Sequence, residues 1–202
     1  MAYEQISVII LAAGVSSRMG QPKLIMPWGQ GTVLAQVVGT FAQAGIVDIV
    51  VVTGGAREQV EDALADLSGR VPVRPIYNPD FADNGMLSSI KTGLVAQNSR
   101  TRAVLIGLGD QPQVRAETVE HICAAYLRSG SHLVIPSFSN QRGHPWLVDR
   151  ILWGQILALP ADATPRQFIQ AHAGGVEYVP GDRSILQDLD TPQEYARQRP
   201  GG

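Results

Sequence analysis

Short, unbroken runs of apolar residues recur along the chain, and many of these residues are β-branched. The stretches VIIL and IVVV, for example, contain no alternating polar positions. Runs of this kind are typical of strands that are covered on both faces, as in parallel sheets. The pattern predicts strands at Ser7–Leu11, Ile49–Thr53, Val73–Tyr77, Ala103–Gly107 and His132–Pro136.

Between these runs, the apolar residues follow helical spacing. Val33, Val37 and Phe41 fall on one stripe of Thr32–Ala44, and Gly45 follows as a C-terminal stop. Further helices are predicted at Arg57–Leu67, Met86–Val95, Ala116–Leu127 and Thr164–His172. Alternating strands and helices imply βαβ units with right-handed crossovers. We therefore expect an α/β fold of three layers, with a Rossmann-like, mostly parallel sheet and helices on both faces.

The last third of the chain has a weaker pattern. Val176–Val179 fits an edge strand, and Thr191 fits the N-cap of a terminal helix that Pro192 begins. No internal repeat, linker or change of composition divides the chain. We therefore expect one domain over residues 1–202.

Composition narrows the class of protein. The 202 residues are 45% hydrophobic with a formal net charge of −2, which leaves no basic field for a nucleic-acid partner. No apolar run approaches the ~20 residues that span a bilayer, and the first apolar stretch lacks the features of a signal peptide. Cys123 is the single cysteine, which excludes an intrachain disulfide and a cysteine-based metal cage. We expect a soluble, cytoplasmic protein.

The loop after the first predicted strand, LAAGVSSRMGQPK, combines small residues, hydroxyls and two cations. Ala12, Ala13 and Gly14 let backbone N–H groups approach an anion closely, and Arg18 and Lys23 add positive charge. In open parallel sheets, ligands bind beyond the carboxyl ends of the strands, where this loop lies. The spacing matches neither a Walker A loop nor a GxGxxG fingerprint. The loop therefore predicts a triphosphate site, and a solvated turn with incidental basic residues is the alternative.

Carboxylates follow in two further segments. Asp110 lies just beyond the strand Ala103–Gly107, where it could hold Mg²⁺ on phosphate oxygens or cap the helix that begins near Ala116. Asp188 and Asp190 are two residues apart, so in an extended segment both could face one cation. Of this pair, Asp190 is the better candidate for a helix cap and Asp188 for a metal ligand.

The segment NPDFADNGMLSSIK begins at Asn78, at the end of another predicted strand. Gly85 and Ser88 near the start of the following helix could offer donors and a positive dipole end to a ligand. The alternative is that Asn84 caps an ordinary surface helix and the serines are solvated.

The first loop resembles the signature loop of the MobA-like nucleotidyltransferases, and most closely that of the molybdenum cofactor cytidylyltransferase branch. The segments GDQP, NPDFADNGMLSS and DLDTPQEY resemble further motifs of that family. The resemblance implies the nucleotide-diphospho-sugar transferase type of fold. Ala13 stands where the guanylyltransferase branch typically has a second glycine, which favours CTP over GTP.

The resemblance also implies roles for individual residues. Lys23, Arg18 and Asp110 would be catalytic, and Mg²⁺ would be held by Asp110, Asp188 and Asp190. Together with Ser16, a hydroxyl donor of the first loop, and Thr53, at the end of a predicted strand, the resemblance gives the predicted nucleotide-binding residues: Leu11, Ala12, Ala13, Gly14, Ser16, Arg18, Lys23, Thr53, Asn78, Gly85 and Ser88.

The segment RGHPW resembles the part of the family that lies beside the pterin-bearing acceptor. His144 could bind a phosphate or transfer a proton, and Trp146 could stack on a pterin ring. The chain departs from the family over Ala161–Arg166, where the charges of a Gly-Asp-x-Gly-Ala-Arg stretch are kept but its glycines are absent. This departure bears on the identity of the acceptor.

These motifs lead to one principal hypothesis and two alternatives. The principal one is a Mg²⁺-dependent transfer of CMP from CTP to the phosphate of a molybdopterin-type acceptor, with a molybdoenzyme as a further candidate partner. A guanylyltransferase or a sugar-phosphate nucleotidyltransferase would use the same fold. A non-catalytic chaperone that delivers molybdenum cofactor would bind without releasing pyrophosphate.

Overall fold

The chain folds into ten strands and seven α-helices within the residues that its computed structural model describes, which are 3–67, 69, 71–83 and 85–200. The strands are β1 (Ile6–Ala12), β2 (Pro27–Trp28), β3 (Gly31–Thr32), β4 (Ile49–Thr53), β5 (Val73–Tyr77), β6 (Ala103–Leu108), β7 (Leu133–Phe138), β8 (Gln141–Arg142), β9 (Trp146–Asp149) and β10 (Val176–Pro180). The helices are α1 (Val33–Gln43), α2 (Arg57–Ala65), α3 (Gly85–Val95), α4 (Ala116–Ser129), α5 (Trp153–Leu157), α6 (Pro165–Ala171) and α7 (Pro192–Gln198).

The main sheet has the strand order β10-β7-β9-β6-β1-β4-β5, with β8 paired to β7. Strand β1 lies inside the sheet and pairs in parallel with β4 and β6, so that Ile9 stands between Val50 and Ile106. Strands β5 and β10 also pair in parallel with their neighbours, whereas β9 is antiparallel to both β6 and β7. The sheet is therefore mixed but mostly parallel.

Side chains that alternate along β1 enter two separate core layers. Val8 and Ile10 pack with α1, α2 and α4, whereas Ile9 packs with α3, α5 and α6, and all three are 0% exposed. A strand buried on both faces needs the unbroken apolar run that the sequence shows. The three-layer fold predicted from the sequence is thereby confirmed.

Most predicted elements are confirmed with small shifts of their ends. The edge strand β10 and the capping role of Thr191 are confirmed, since the Glu194 backbone N–H donates to Thr191 Oγ1 at 3.2 Å. The prediction that Asp190 caps this helix is therefore wrong. Strand β9 and helix α5 were not predicted, and Asn84 lies outside the described residues.

Cys123 is fully buried in α4, as its place in an apolar stripe predicts. Across the described part of the chain, no helix combines the length and the apolar character needed to cross a bilayer.

Two glycines in helices provide a matched test of this packing. A Cβ atom on Gly93 of α3 would lie 2.4 Å from Ile9 Cγ2 in the fully buried centre of the sheet, whereas one on Gly39 of α1 would meet nothing within 4 Å. We expect Gly93→Ala to lower the free energy of unfolding by about 1–3 kcal/mol because the core is overpacked. Gly39→Ala should raise it by about 0.5–1 kcal/mol because alanine favours the helix. Urea unfolding measures both values, and a shift of the same sign in the two variants would contradict the packing described.

Candidate functional site

Two adjoining pockets lie at the edge of the sheet where β1, β6 and β7 end. The smaller one, called here the acidic pocket, has a volume of about 390 Å³, and the larger pocket has about 720 Å³. The predicted site residues that line the acidic pocket are Leu11, Ala12, Ala13, Gly14, Ser16, Lys23, Gly85, Asp110, Asp188 and Asp190. Met86 lines both pockets, so the two spaces meet at that side chain.

The loop after β1 is held in a tight conformation that faces the acidic pocket. Ser16 adopts a left-handed backbone with φ of 51°, and its Oγ accepts from the Lys23 backbone N–H at 3.2 Å. Gly20 also has a positive φ, 69°, as the turn between the two cations requires. A Cβ atom on Gly14 would meet nothing within 4 Å, so open space lies beside this part of the backbone. This conformation brings Lys23 back towards the end of β1.

A network of ion pairs joins three segments that are far apart in sequence. Lys23 Nζ lies 2.5 Å from Asp110 Oδ2 and 3.1 Å from Asp190 Oδ1, and Arg18 donates to Asp190 Oδ2 at 2.8 Å. The side chains of Lys23 and Asp110 are only 14% and 19% exposed, so water screens their interaction weakly. Arg18 does not line the pocket but is anchored at its rim by Asp190.

The charges in this network shift one another's pKa values. Burial alone would lower the pKa of Lys23, but the neighbouring Asp110 and Asp190 outweigh it and raise that pKa. Partial burial opposes ionisation of Asp190, yet hydrogen bonds from Lys23 and Arg18 leave its pKa below the ordinary value. Both groups therefore stay charged at neutral pH.

Asp188 differs from its two neighbours because it meets no cation directly among the residues that the structure describes. Its Oδ1 accepts from Gln111 Nε2 at 2.7 Å. Burial and the negative charges of Asp110 and Asp190 raise its pKa, against the effect of the Gln111 hydrogen bond. Asp188 is thus an oriented carboxylate in a region of excess negative charge.

The three aspartates line one pocket without forming a closed ligand set. In the described residues, no group of three or more His, Cys, Asp and Glu side chains is arranged to hold a metal ion by itself. The Lys23 ammonium instead occupies the space between the Asp110 and Asp190 carboxylates. A cation is already stabilised there, so the donor chemistry fits an ion that takes one or two carboxylates and completes its shell with other oxygens.

Three predicted nucleotide-binding residues point elsewhere. Thr53 is fully buried, and its Oγ1 donates to Glu61 Oε1 at 3.1 Å. Asn78 is 1% exposed and donates to the hydroxyls of Ser88 and Ser89, so it braces the start of α3 rather than facing the pocket. Ser88 bonds within that brace to the Gly85 carbonyl. The Thr53 and Asn78 side chains are thus buried and bonded away from the acidic pocket, and Ser88 does not line it either. That these three residues contact a nucleotide stays a prediction.

Sequence reasoning missed several residues that line the acidic pocket, namely Leu24, Phe81, Met86 and Leu108, and it considered Ser89 beside Ser88 without assigning it to the site. The sequence does carry a signal for Met86, because it is an apolar side chain at the start of a helix that follows a turn-rich loop. In the structure, Met86 is 41% exposed. Ser89 follows Ser88 by one helical step of about 100°. This step turns it from the surface loop to the pocket.

The larger pocket contains His144 and Trp146 from the segment that leads into β9. Trp146 is 3% exposed and donates from Nε1 to His144 Nδ1 at 2.6 Å, so its ring presents little open surface to the larger pocket, and stacking on an acceptor stays a prediction. Burial lowers the pKa of His144 to about 4, which leaves the imidazole neutral at physiological pH. Two further lining side chains, Arg142 and Arg166, carry positive charge.

Comparison with known proteins identifies the family of the chain. The model of the MobA-like NTP transferase domain matches residues 8–176. The molybdenum cofactor cytidylyltransferase of Escherichia coli is 31% identical over 191 residues, which cover 94% of this chain and 93% of that protein. The nicotine blue oxidoreductase of Paenarthrobacter nicotinovorans is 29% identical over 202 residues, with 94% of each chain covered.

Solved structures share the whole fold. The crystal structure of Rv0371c from Mycobacterium tuberculosis has a TM-score of 0.82 at 28% identity and covers 98% of each chain. A structure of Rv0371c in complex with manganese has a TM-score of 0.79 at 26% identity, with 98% of this chain and 100% of that chain covered. With the family model matched over most of the sequence, the chain belongs to the MobA-like NTP transferase family of nucleotidyltransferases.

Proposed function

We propose that this protein transfers CMP from CTP to the phosphate of a molybdopterin-type acceptor and releases pyrophosphate. The observation that carries the proposal is the pairing of Lys23 with Asp110 and Asp190 in a pocket at the end of β1. The same pocket is lined by the small residues Ala13 and Gly14, beside which a phosphate could approach the backbone. Similarity to a molybdenum cofactor cytidylyltransferase supports this choice of substrates.

The reaction needs charge neutralisation and positioning more than a side-chain nucleophile. The acceptor phosphate is already deprotonated, so it attacks the α-phosphorus of CTP in line with the departing pyrophosphate. Lys23 and Arg18 would leave their carboxylate partners for the triphosphate and stabilise the charge that develops on the leaving group. Backbone N–H groups near Gly14 would hold the phosphates in place for the attack.

Asp110, together with Asp188 or Asp190, is proposed to hold Mg²⁺. When bound, the ion would supply positive charge to the phosphate oxygens and offset the charge that develops there. The protein's part is to present carboxylates at the ends of β6 and the C-terminal segment. The manganese complex of a relative supports the use of a divalent ion in this family.

The larger pocket is proposed to receive the acceptor. It meets the acidic pocket at Met86, which would bring an acceptor phosphate beside the nucleotide. Because His144 is neutral, it would bind by hydrogen bonding and would not pair with a phosphate as a cation. Ile6 and Tyr195, from opposite ends of the sequence, pack in one core cluster, which supports the further proposal of one domain over residues 1–202. We also propose that this domain is cytoplasmic.

A different phosphate acceptor, such as a sugar phosphate, is the second candidate. It is favoured by the absence of the family's glycines over Ala161–Arg166, where Thr164 instead caps α6 with a full capping box. Assays of pyrophosphate release with both acceptor classes distinguish the two candidates. Because one relative is named an oxidoreductase, the assay should follow a product that only nucleotidyl transfer releases, which is pyrophosphate.

A panel of nucleotides tests the nucleotide preference. We expect CTP with Mg²⁺ to raise the melting temperature more than GTP, ATP or UTP does. At 100 times its Kd, a ligand adds about 2.7 kcal/mol to the free energy of unfolding. Thermal unfolding of the wild-type chain with each nucleotide measures the effect. No stabilisation by any of the four, or a larger effect of GTP, would contradict the proposal.

Replacing the central cation tests the catalytic assignment. We expect Lys23→Ala to lower kcat by about 10²-fold or more, since one preorganised charge contact to the leaving group is lost. Arg100→Ala is the matched control, because Arg100 is an exposed cation at the opposite edge of the sheet, before β6. Release of pyrophosphate from CTP is the measurement. Equal rates in the two variants would remove Lys23 from the proposed machinery.

A further inference from the structure

Gln111 is a buried amide that connects the two acidic segments of the site. It is 4% exposed, directly follows Asp110, and donates from Nε2 to Asp188 Oδ1 at 2.7 Å. The same amide lies 3.4 Å from the Ile185 carbonyl oxygen. A backbone bond from Leu189 N–H to the Asp110 carbonyl, at 3.2 Å, ties the two segments together beside it.

The orientation of the Gln111 amide is fixed by its neighbours. Both groups facing Nε2, a carboxylate and a carbonyl, can only accept, so the NH₂ end must point towards them. As a consequence, Gln111 Oε1 is buried without a hydrogen-bond partner. An unpaired buried acceptor costs about 1–3 kcal/mol. Gln113 Oε1, in the same loop, also lacks a partner among the described residues, so the contact with Asp188 is what distinguishes Gln111.

The Gln111 amide has a direct effect on the orientation of the Asp188 carboxylate. One carboxylate oxygen is engaged by Gln111, and the side chain as a whole lines the acidic pocket. Since Asp188 meets no cation directly, this hydrogen bond is what holds its carboxylate in one orientation. Hydrogen bonds to ligating carboxylates orient them, and loss of such a partner typically lowers metal affinity by about 10–100-fold.

We propose that Gln111 is a positioning residue that holds Asp188 in the orientation needed to bind a divalent cation together with the nucleotide. This inference rests on the proposed function, because it takes Asp188 as a ligand of that cation. Gln111 itself touches neither the nucleotide nor the cation. It acts through the Asp188 carboxylate.

Gln113 provides a matched control in the same loop. It donates to Gln198 Oε1, and Gln198 Nε2 lies 3.5 Å from the backbone carbonyl of Asp188. Gln113 therefore supports the backbone of the same C-terminal segment without touching the Asp188 carboxylate. Methionine is close to glutamine in volume and lacks the donor, so Gln111→Met and Gln113→Met remove the two supports with little change in packing.

The test measures Mn²⁺ binding in the presence of CTP by titration calorimetry, with near-UV circular dichroism to verify folding. We expect Gln111→Met to raise the Kd for Mn²⁺ by about 10–100-fold. Gln113→Met should change it by no more than about 2-fold. The same Kd values should be reproduced with Gln111→Leu, which guards against a specific effect of methionine.

A double-mutant cycle with Asp188→Asn separates positioning from a general structural effect. If Gln111 acts through Asp188, Gln111→Met should add no more than about 2-fold in the Asp188→Asn background. Equal losses in the Gln111 and Gln113 variants, or an undiminished loss in the Asp188→Asn background, would overturn the inference. Failure of the wild-type chain to bind Mn²⁺ with CTP would instead overturn the proposed function, and the inference with it.

Discussion

The ammonium group of Lys23 is the interaction on which the site depends. It joins Asp110, 87 residues away, to Asp190, 167 residues away, and so closes the pocket from three segments of the chain. Two carboxylates this close would repel each other without a cation between them. In the absence of a nucleotide, Lys23 supplies that charge. We propose that the same lysine moves to a triphosphate when a divalent ion takes over part of its role.

The sheet makes this meeting of segments possible. Because β1 and β6 are parallel neighbours, the loops that carry Lys23 and Asp110 leave the same edge of the sheet. Strand β9 runs in the opposite direction beside β6, so its first residue, Trp146, lies at that edge as well. The antiparallel strand thus brings the larger pocket next to the acidic one.

The parallel core could be predicted from the sequence because its buried strands are unbroken apolar runs. Such runs differ from the helical spacing of apolar residues in the segments between them. Strand β9 could not be predicted in this way, since WLVD is short and becomes a strand only by pairing with β6 and β7. The charged site residues were predicted because they follow predicted strands and because their motifs resemble those of a known family. The sequence could not predict that the Thr53 and Asn78 side chains turn away from the acidic pocket, because position in the chain does not reveal which way a side chain points. Gln111 went unnoticed because a single buried amide leaves no pattern in a sequence.

We propose that Lys23 and the aspartates release each other when a metal-bound nucleotide enters the acidic pocket. A crystal structure of the chain with CTP and Mn²⁺ measures this most directly, because the anomalous signal of the metal locates it independently. We predict manganese beside the Asp110 carboxylate in the acidic pocket, with Lys23 Nζ on a phosphate oxygen of CTP. Nucleotide bound outside that pocket, or Lys23 still paired with both Asp110 and Asp190 and out of contact with phosphate, would contradict the account.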